Sequence, residues 1–193
     1  MLIILLFSTS AISAGGKKEV TPEASAPVAE STTQIQKDSQ DVVLAPFWSI
    51  NLYGEDVSEE IFAPYDLTMV NVWGTYCRPC ITEMPGLGTL SREYKEKGVQ
   101  IMGIVVDVYH SDQKIFMEKL GTAMEIIAYT KADYPHILQS KELIDLYLKN
   151  VQVIPTTFFV DKNGKVLGEE YLGSQSEEDW RKIIDKMISE YVK

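Results

Sequence analysis

The chain has 193 residues, 45% of them hydrophobic, and a formal net charge of −10. It is sized for one folded domain plus an extension, and it is too acidic for nucleic acid or an anionic lipid surface to be its main partner. Its two cysteines, Cys77 and Cys80, exclude a disulfide framework and a four-thiolate zinc site. The two histidines, His110 and His136, lack metal-ligand spacing and read as surface or loop residues, so no metal is expected.

At the N-terminus, residues 2–7 form a short apolar run followed by small residues through Ala14, the pattern of an export signal without the usual leading Lys or Arg. The run is too short to span a bilayer. Ile12-Ser13-Ala14 resembles the end of a lipoprotein signal, but Gly15 stands where the lipidated Cys belongs, so a lipid anchor is unsupported. Residues 15–45 are rich in Ala, Ser, Thr, Pro, Glu and Lys, a composition that cannot bury enough apolar surface to order itself. The expected division is an export signal over 1–14, a flexible linker over 15–45 and a folded domain over 46–193.

Within the domain, residues 47–52 read as a strand and 53–56 as a turn around Gly54. Residues 68–73 read as a strand buried on both faces. A helix is predicted over 79–97, kinked at Pro85, then a continuous apolar strand over 99–108. Ser111 is a candidate cap for a helix to about Ile127, with Phe116, Leu120, Ala123 and Ile127 on one face. A short strand at 137–138, a short helix over 141–148, a strand over 156–160, an Asp-x-Asn-Gly turn and a returning strand over 165–171 follow. Ser176 opens the last helix, whose apolar stripe of Trp180, Ile183, Ile184, Met187, Ile188 and Tyr191 reads as core. This order implies an α/β fold with a mixed central sheet flanked by helices.

Cys77-Arg78-Pro79-Cys80 falls at the start of the first helix, directly after a strand. Unpaired backbone N–H groups there favour a thiolate at the first cysteine. The second thiol, one turn on, can attack a mixed disulfide. Cys77 is therefore the candidate nucleophile and Cys80 the resolving thiol; Pro79 suits a first helical turn. A static disulfide or half a metal site is the alternative reading of the bare pair. Pro155, just before a strand, is a candidate cis proline.

The segment Asn71-Val-Trp-Gly-Thr-Tyr-Cys-Arg-Pro-Cys-Ile-Thr-Glu-Met-Pro85, together with Val153-Ile-Pro-Thr-Thr-Phe-Phe-Val-Asp161, resembles the TlpA/ResA-like branch of the thioredoxin superfamily. The resemblance runs from about Pro46 to the end. It implies a thioredoxin fold with an N-terminal β-hairpin and a central insertion, and extracytoplasmic thiol–disulfide exchange. It also implies a cis Pro155 facing the cysteines, a backbone at Ile154 that pairs with an extended substrate peptide, and Trp73 shielding the disulfide. Ordinary thioredoxins carry a buried Asp where this chain has Asn71; the family's alternative is a Glu three residues after the second Cys, which Glu83 matches. Glu83 would then move a proton at Cys80, unless it is merely a solvated helix carboxylate. Arg78 would stabilise the Cys77 thiolate, unless it is an inert surface cation.

The function expected is a protein disulfide reductase without cofactor. Its partners would be exported thiol or disulfide proteins, apocytochrome c among the candidates, and an upstream thiol–disulfide electron donor. A copper-binding module using the same two cysteines is the alternative from another class; no His lies near the pair in sequence. A peroxidase ranks lower, because Gly74 stands where a peroxidatic motif carries Thr or Ser.

Overall fold

The computed structural model describes residues 42–109 and 114–192. The export signal expected over 1–14, most of the expected linker, His110 and Ser111 lie outside them. In chain order the elements are β1 (Trp48–Ile50), β2 (Asp56–Ser58), β3 (Leu67–Trp73), α1 (Arg78–Lys95), β4 (Val99–Val105), α2 (Met117–Thr130), β5 (His136–Leu138), α3 (Lys141–Leu146), β6 (Thr156–Val160), β7 (Val166–Leu172) and α4 (Glu177–Tyr191).

Five strands form one mixed sheet in the order β5-β4-β3-β6-β7, and β1 and β2 form a separate antiparallel pair. β3 lies at the centre, parallel to β4 and antiparallel to β6. This is the thioredoxin-type architecture the resemblance implies, with the leading hairpin in place and α2, β5 and α3 inserted before Pro155.

β3 is buried at every position because both of its faces are covered. Its side chains alternate, so Met69, Asn71 and Trp73 share the face packed by α1 and α4, and Val70 and Val72 share the other with Phe47, Phe62 and Leu143. On α4, Trp180, Ile184 and Met187 are fully buried as their spacing predicts, each contributing about 1.5–3 kcal/mol. The Ser176 hydroxyl caps this helix by accepting the Asp179 N–H at 3.1 Å.

Several boundaries differ from those predicted. β4 ends at Val105: the Val106 N–H donates to the Trp73 carbonyl at 3.0 Å and the chain then leaves the ladder. Val108 is still buried, which is why the apolar run extends past the strand. α2 begins only at Met117, because Tyr109 and Ile115 pair in a bridge across residues assigned by pattern to its first turn. Leu120, Ala123 and Ile127 do face the core. α1 continues as one helix through Pro85. Residues 42–45, grouped by composition with the linker, belong to the folded part. Leu44 is fully buried and its N–H donates to the Gly164 carbonyl at 2.8 Å, while Val42 accepts from the Val166 N–H at 2.9 Å.

Candidate active site

β3 delivers the chain to the end of the sheet where the parallel strands finish, a usual place for reactive groups in α/β folds. It turns there through Gly74, Thr75 and Tyr76, and Cys77 follows as the N-cap of α1. Its backbone is extended, and its Sγ accepts the Cys80 N–H at 3.2 Å, so a sulfur fills the position that a hydroxyl or carboxylate usually takes. The positive end of the helix dipole therefore faces Cys77. Cys77 and Cys80 are joined as a disulfide. Cys77 is 5% exposed and Cys80 0%, so an incoming group reaches Cys77. Arg78 and Pro79 are exposed in the first turn.

The Ile154–Pro155 peptide is cis, and the Ile154 carbonyl oxygen stands 3.6 Å from Cys77 Sγ. The loop is fixed from both sides: the Gly173 N–H donates to the Pro155 carbonyl at 2.8 Å, and the Thr156 hydroxyl to the Val153 carbonyl at 2.7 Å. A second cis bond, Ala45–Pro46, has no counterpart in the sequence expectations. Gly74 sits in a close approach, where a Cβ would lie 3.1 Å from the Tyr76 ring and 3.3 Å from Ile154 Cδ1.

Trp73 does not meet solvent. It is fully buried in the same core cluster as both cysteines. The alternation of β3 turns it inward. The aromatic ring displayed beside Cys77 is instead Tyr76, 68% exposed, which the sequence pattern does not single out. His136 is also not a surface residue: it is buried in β5, accepts the Trp73 indole N–H at Nδ1 (3.1 Å), and stacks on Tyr134. With Nδ1 an acceptor, Nε2 carries the proton and donates to the Ala132 carbonyl at 3.0 Å. Burial pushes His136 down to about 4, against the opposing pull of that carbonyl.

Glu83 is buried, 6% exposed, and not a solvated helix carboxylate. Its Oε1 accepts from Asn71 Nδ2 at 2.9 Å, and its Oε2 accepts both the Gln175 N–H and the Trp180 indole N–H at 3.0 Å. Burial raises its pKa above the usual glutamate range; the bonds from Trp180, Gln175 and Asn71 oppose the rise. Asn71 also donates to Thr157 Oγ1 at 3.0 Å, while its own Oδ1 is buried without a partner. One helical turn separates Glu83 from Cys80, and donors from β3, the loop before α4 and α4 converge on the Glu83 carboxylate.

Asp107, just beyond β4, is a further site residue that pattern alone does not reveal. It accepts the Thr75 N–H at 2.9 Å and the Thr75 hydroxyl at 2.5 Å, and Lys119 of α2 lies 3.5 Å from it. This clamp holds the turn that precedes Cys77. The parallel register of β3 and β4, which ends the two strands side by side, is the signal that could have found it.

Comparison with known proteins agrees with this arrangement. The AhpC/TSA family model matches residues 35–168. The thiol-disulfide oxidoreductase ResA of Bacillus anthracis is 33% identical over 118 residues, which cover 61% of this chain and 61% of the relative; ResA of Geobacillus kaustophilus is 31% identical over the same length. The match thus spans about 61% of the length of these curated relatives. Among solved structures, a thioredoxin family thiol:disulfide interchange protein from Chlorobium tepidum superposes with a TM-score of 0.60 at 24% identity, covering 75% of this chain and 95% of that one. StoA from Bacillus subtilis superposes with a TM-score of 0.55 at 22% identity, covering 73% and 97%.

Proposed function

Because this chain belongs to the AhpC/TSA family and carries a cysteine pair at a helix start, we propose that it is a thiol–disulfide oxidoreductase acting as a protein disulfide reductase. The observation that carries the reading is the placing of Cys77. Its sulfur caps α1 and stands against the carbonyl of the cis-proline loop, while Cys80 is sealed one turn behind it.

In the forward direction the Cys77 thiolate attacks one sulfur of a substrate disulfide. That bond breaks, a substrate thiolate leaves, and a mixed disulfide forms. Cys80 loses its proton to Glu83 and attacks Cys77 Sγ, which releases the second substrate thiolate and closes the Cys77–Cys80 disulfide. Two electrons pass from the protein to the substrate, and an upstream dithiol returns them. Ile154 offers backbone to an extended substrate chain, in the manner of strand addition. Pro155 shapes that loop, Tyr76 flanks it, Trp73 supports the pair from below, and Arg78 favours the Cys77 thiolate. The partners are exported thiol or disulfide proteins, with the thiol pair of an apocytochrome c one candidate, and the setting is extracytoplasmic. Among the described residues no helix is long and apolar enough to cross a membrane.

Cys80→Ser tests the reading. It leaves Cys77 able to form, but not resolve, a mixed disulfide, so one half of a peptide disulfide should remain covalently attached to Cys77, the other leaving as a thiol, until a reductant is added. Absence of any such adduct at Cys77 would sink the exchange mechanism. Fusing residues 1–45 to a reporter active only outside the cytoplasm tests the location.

A further inference from the structure

Beside the disulfide lies a groove of about 370 Å³, small among ligand pockets, which run to about 300–1,000 Å³. Its apolar lining includes Val72 and Val106 from the ends of β3 and β4, and Leu148 from the turn after α3. Tyr76 and Ile154 line it too, so it is continuous with the place where a substrate sulfur meets Cys77. One lining residue carries charge: Lys149, exposed and without an ion pair among the described residues. The nearby Asp145 is already held by Lys141. A single cation thus marks the groove of a protein whose net charge is −10.

Resting on the exchange reading, we propose that this groove selects the substrate: it takes the polypeptide segment beside the reactive cysteine, seating a bulky apolar side chain on its floor and a carboxylate against Lys149. The size admits one or two side chains and not a folded module. Gln139 and Gln152 also line the groove without carrying charge; its apolar floor favours an apolar side chain, and the lone ammonium supplies the complementary charge to an Asp or Glu. Long-range attraction cannot produce this preference, because the field of the whole protein is negative; the selection is local to Lys149.

The test uses the full chain in its reduced form and two peptide disulfides. Each is a symmetric dimer of one short peptide with Leu next to its cysteine, followed by Asp in one and by Lys in the other. Second-order rates of protein oxidation are read by acid quenching, alkylation and mass counting of the protein's own remaining thiols, since each protein thiol lost is matched by a peptide thiol released. The wild type should be oxidised about threefold to tenfold faster by the Asp peptide, the size expected when an exposed ammonium attracts one peptide and repels the other. Lys149→Glu should reverse that order. Lys162→Glu, the same change in net charge at an exposed turn outside the groove, should keep it. Replacing Leu by Ser in the Asp peptide should slow the wild type by about tenfold. An order unchanged in Lys149→Glu, or equally reversed in Lys162→Glu, overturns the proposal, and indifference to the Leu-to-Ser change removes its apolar half. Rapid oxidation blind to peptide charge counts against the groove alone. Inertness of the wild type toward both peptides and toward hydroxyethyl disulfide sinks the exchange reading with it.

Discussion

Replacing Glu83 with Gln removes a buried carboxylate one helical turn from Cys80 while nearly preserving its shape. The three donors to Glu83 decide the structural cost. The amide oxygen of the substituted side chain can keep the Gln175 and Trp180 N–H groups, which share Oε2, but its NH₂ then faces Asn71 Nδ2. Turning over the Asn71 amide relieves the clash, because Asn71 Oδ1 then accepts from the new NH₂ group and from the Thr157 hydroxyl, but it leaves the Asn71 NH₂ where Oδ1 is now buried without a partner, which accounts for most of the expected cost. Charge-assisted bonds of about 1.5–3 kcal/mol become neutral ones of about 0.5–1.5, and the cost of burying a charge disappears with them. The fold should therefore persist, with stability at neutral pH within about 2 kcal/mol of the wild type. Chemistry should not be spared. Loss of a general base slows the resolving step by about tenfold or more, and removes from the pH–rate profile the limb that rises as Glu83 ionises. Burial raises the Glu83 pKa, so the folded protein holds this proton more tightly than the unfolded chain. Wild-type stability should consequently fall as pH rises from the ordinary glutamate range through the raised value, and the Gln variant should lack that fall. Disulfide exchange on one substrate and urea melts, each from pH 5 to 9, read both effects. The control is Glu96→Gln at the exposed end of α1; Glu93 is unsuitable, because it pairs with Arg181 of α4. Superimposable rate profiles for wild type and Glu83→Gln would remove Glu83 from the mechanism.

Brief alkylation of the reduced protein should label Cys77 first, since Cys80 has no exposed surface; mass mapping that finds Cys80 preferred would reverse their roles. A chain starting at residue 42 should fold, whereas one starting at residue 46 loses Leu44 from the core and should be weaker by about 2–4 kcal/mol in urea melts. Equal midpoints would show residues 42–45 to be dispensable. Gly103→Ala should destabilise by about 1–3 kcal/mol, because its Cβ would fall 2.2 Å from His136 Nδ1 and 2.9 Å from the Trp73 indole nitrogen. Gly121→Ala in α2, where nothing lies within 4 Å, should instead stabilise by about 0.5–1 kcal/mol, and the two thermal shifts should have opposite signs.

The elements that sequence predicts most closely are those whose pattern is local. The mostly apolar run of β3 and the stripe and serine cap of α4 depend on neighbours within a few positions, and both elements appear where expected, although Tyr191 at the end of the stripe is exposed. The site residues whose surroundings differ from expectation depend on partners far along the chain. Glu83 is buried by donors 12, 92 and 97 positions away, a distance no periodicity spans. His136 looks like a loop residue because β5 is only three residues long; it is buried because the edge of the sheet sets it against Trp73. Family resemblance has Trp73 shielding the disulfide; the alternation of a strand covered on both faces turns it inward, and the exposed ring beside Cys77 is Tyr76. The apolar run after β4 misleads for another reason: burial continues into an irregular segment, so hydrophobicity does not mark where the ladder stops.

That a sulfur serves as the cap of α1 makes the end of a helix part of a thermodynamic cycle with an electron pair. In the disulfide this atom accepts the Cys80 N–H, and on reduction the same position places a thiolate, an anion, at the positive end of the dipole. By reciprocity, the free energy the thiolate gains from the helix is the free energy the helix gains from the thiolate. A cap contact of about 0.5–2 kcal/mol corresponds to about 10–40 mV in a two-electron couple, in the direction that favours the reduced state. Secondary structure and redox poise are therefore not separately adjustable at position 77: whatever firms the first turn of α1 around a thiolate also makes the protein a weaker donor of electrons.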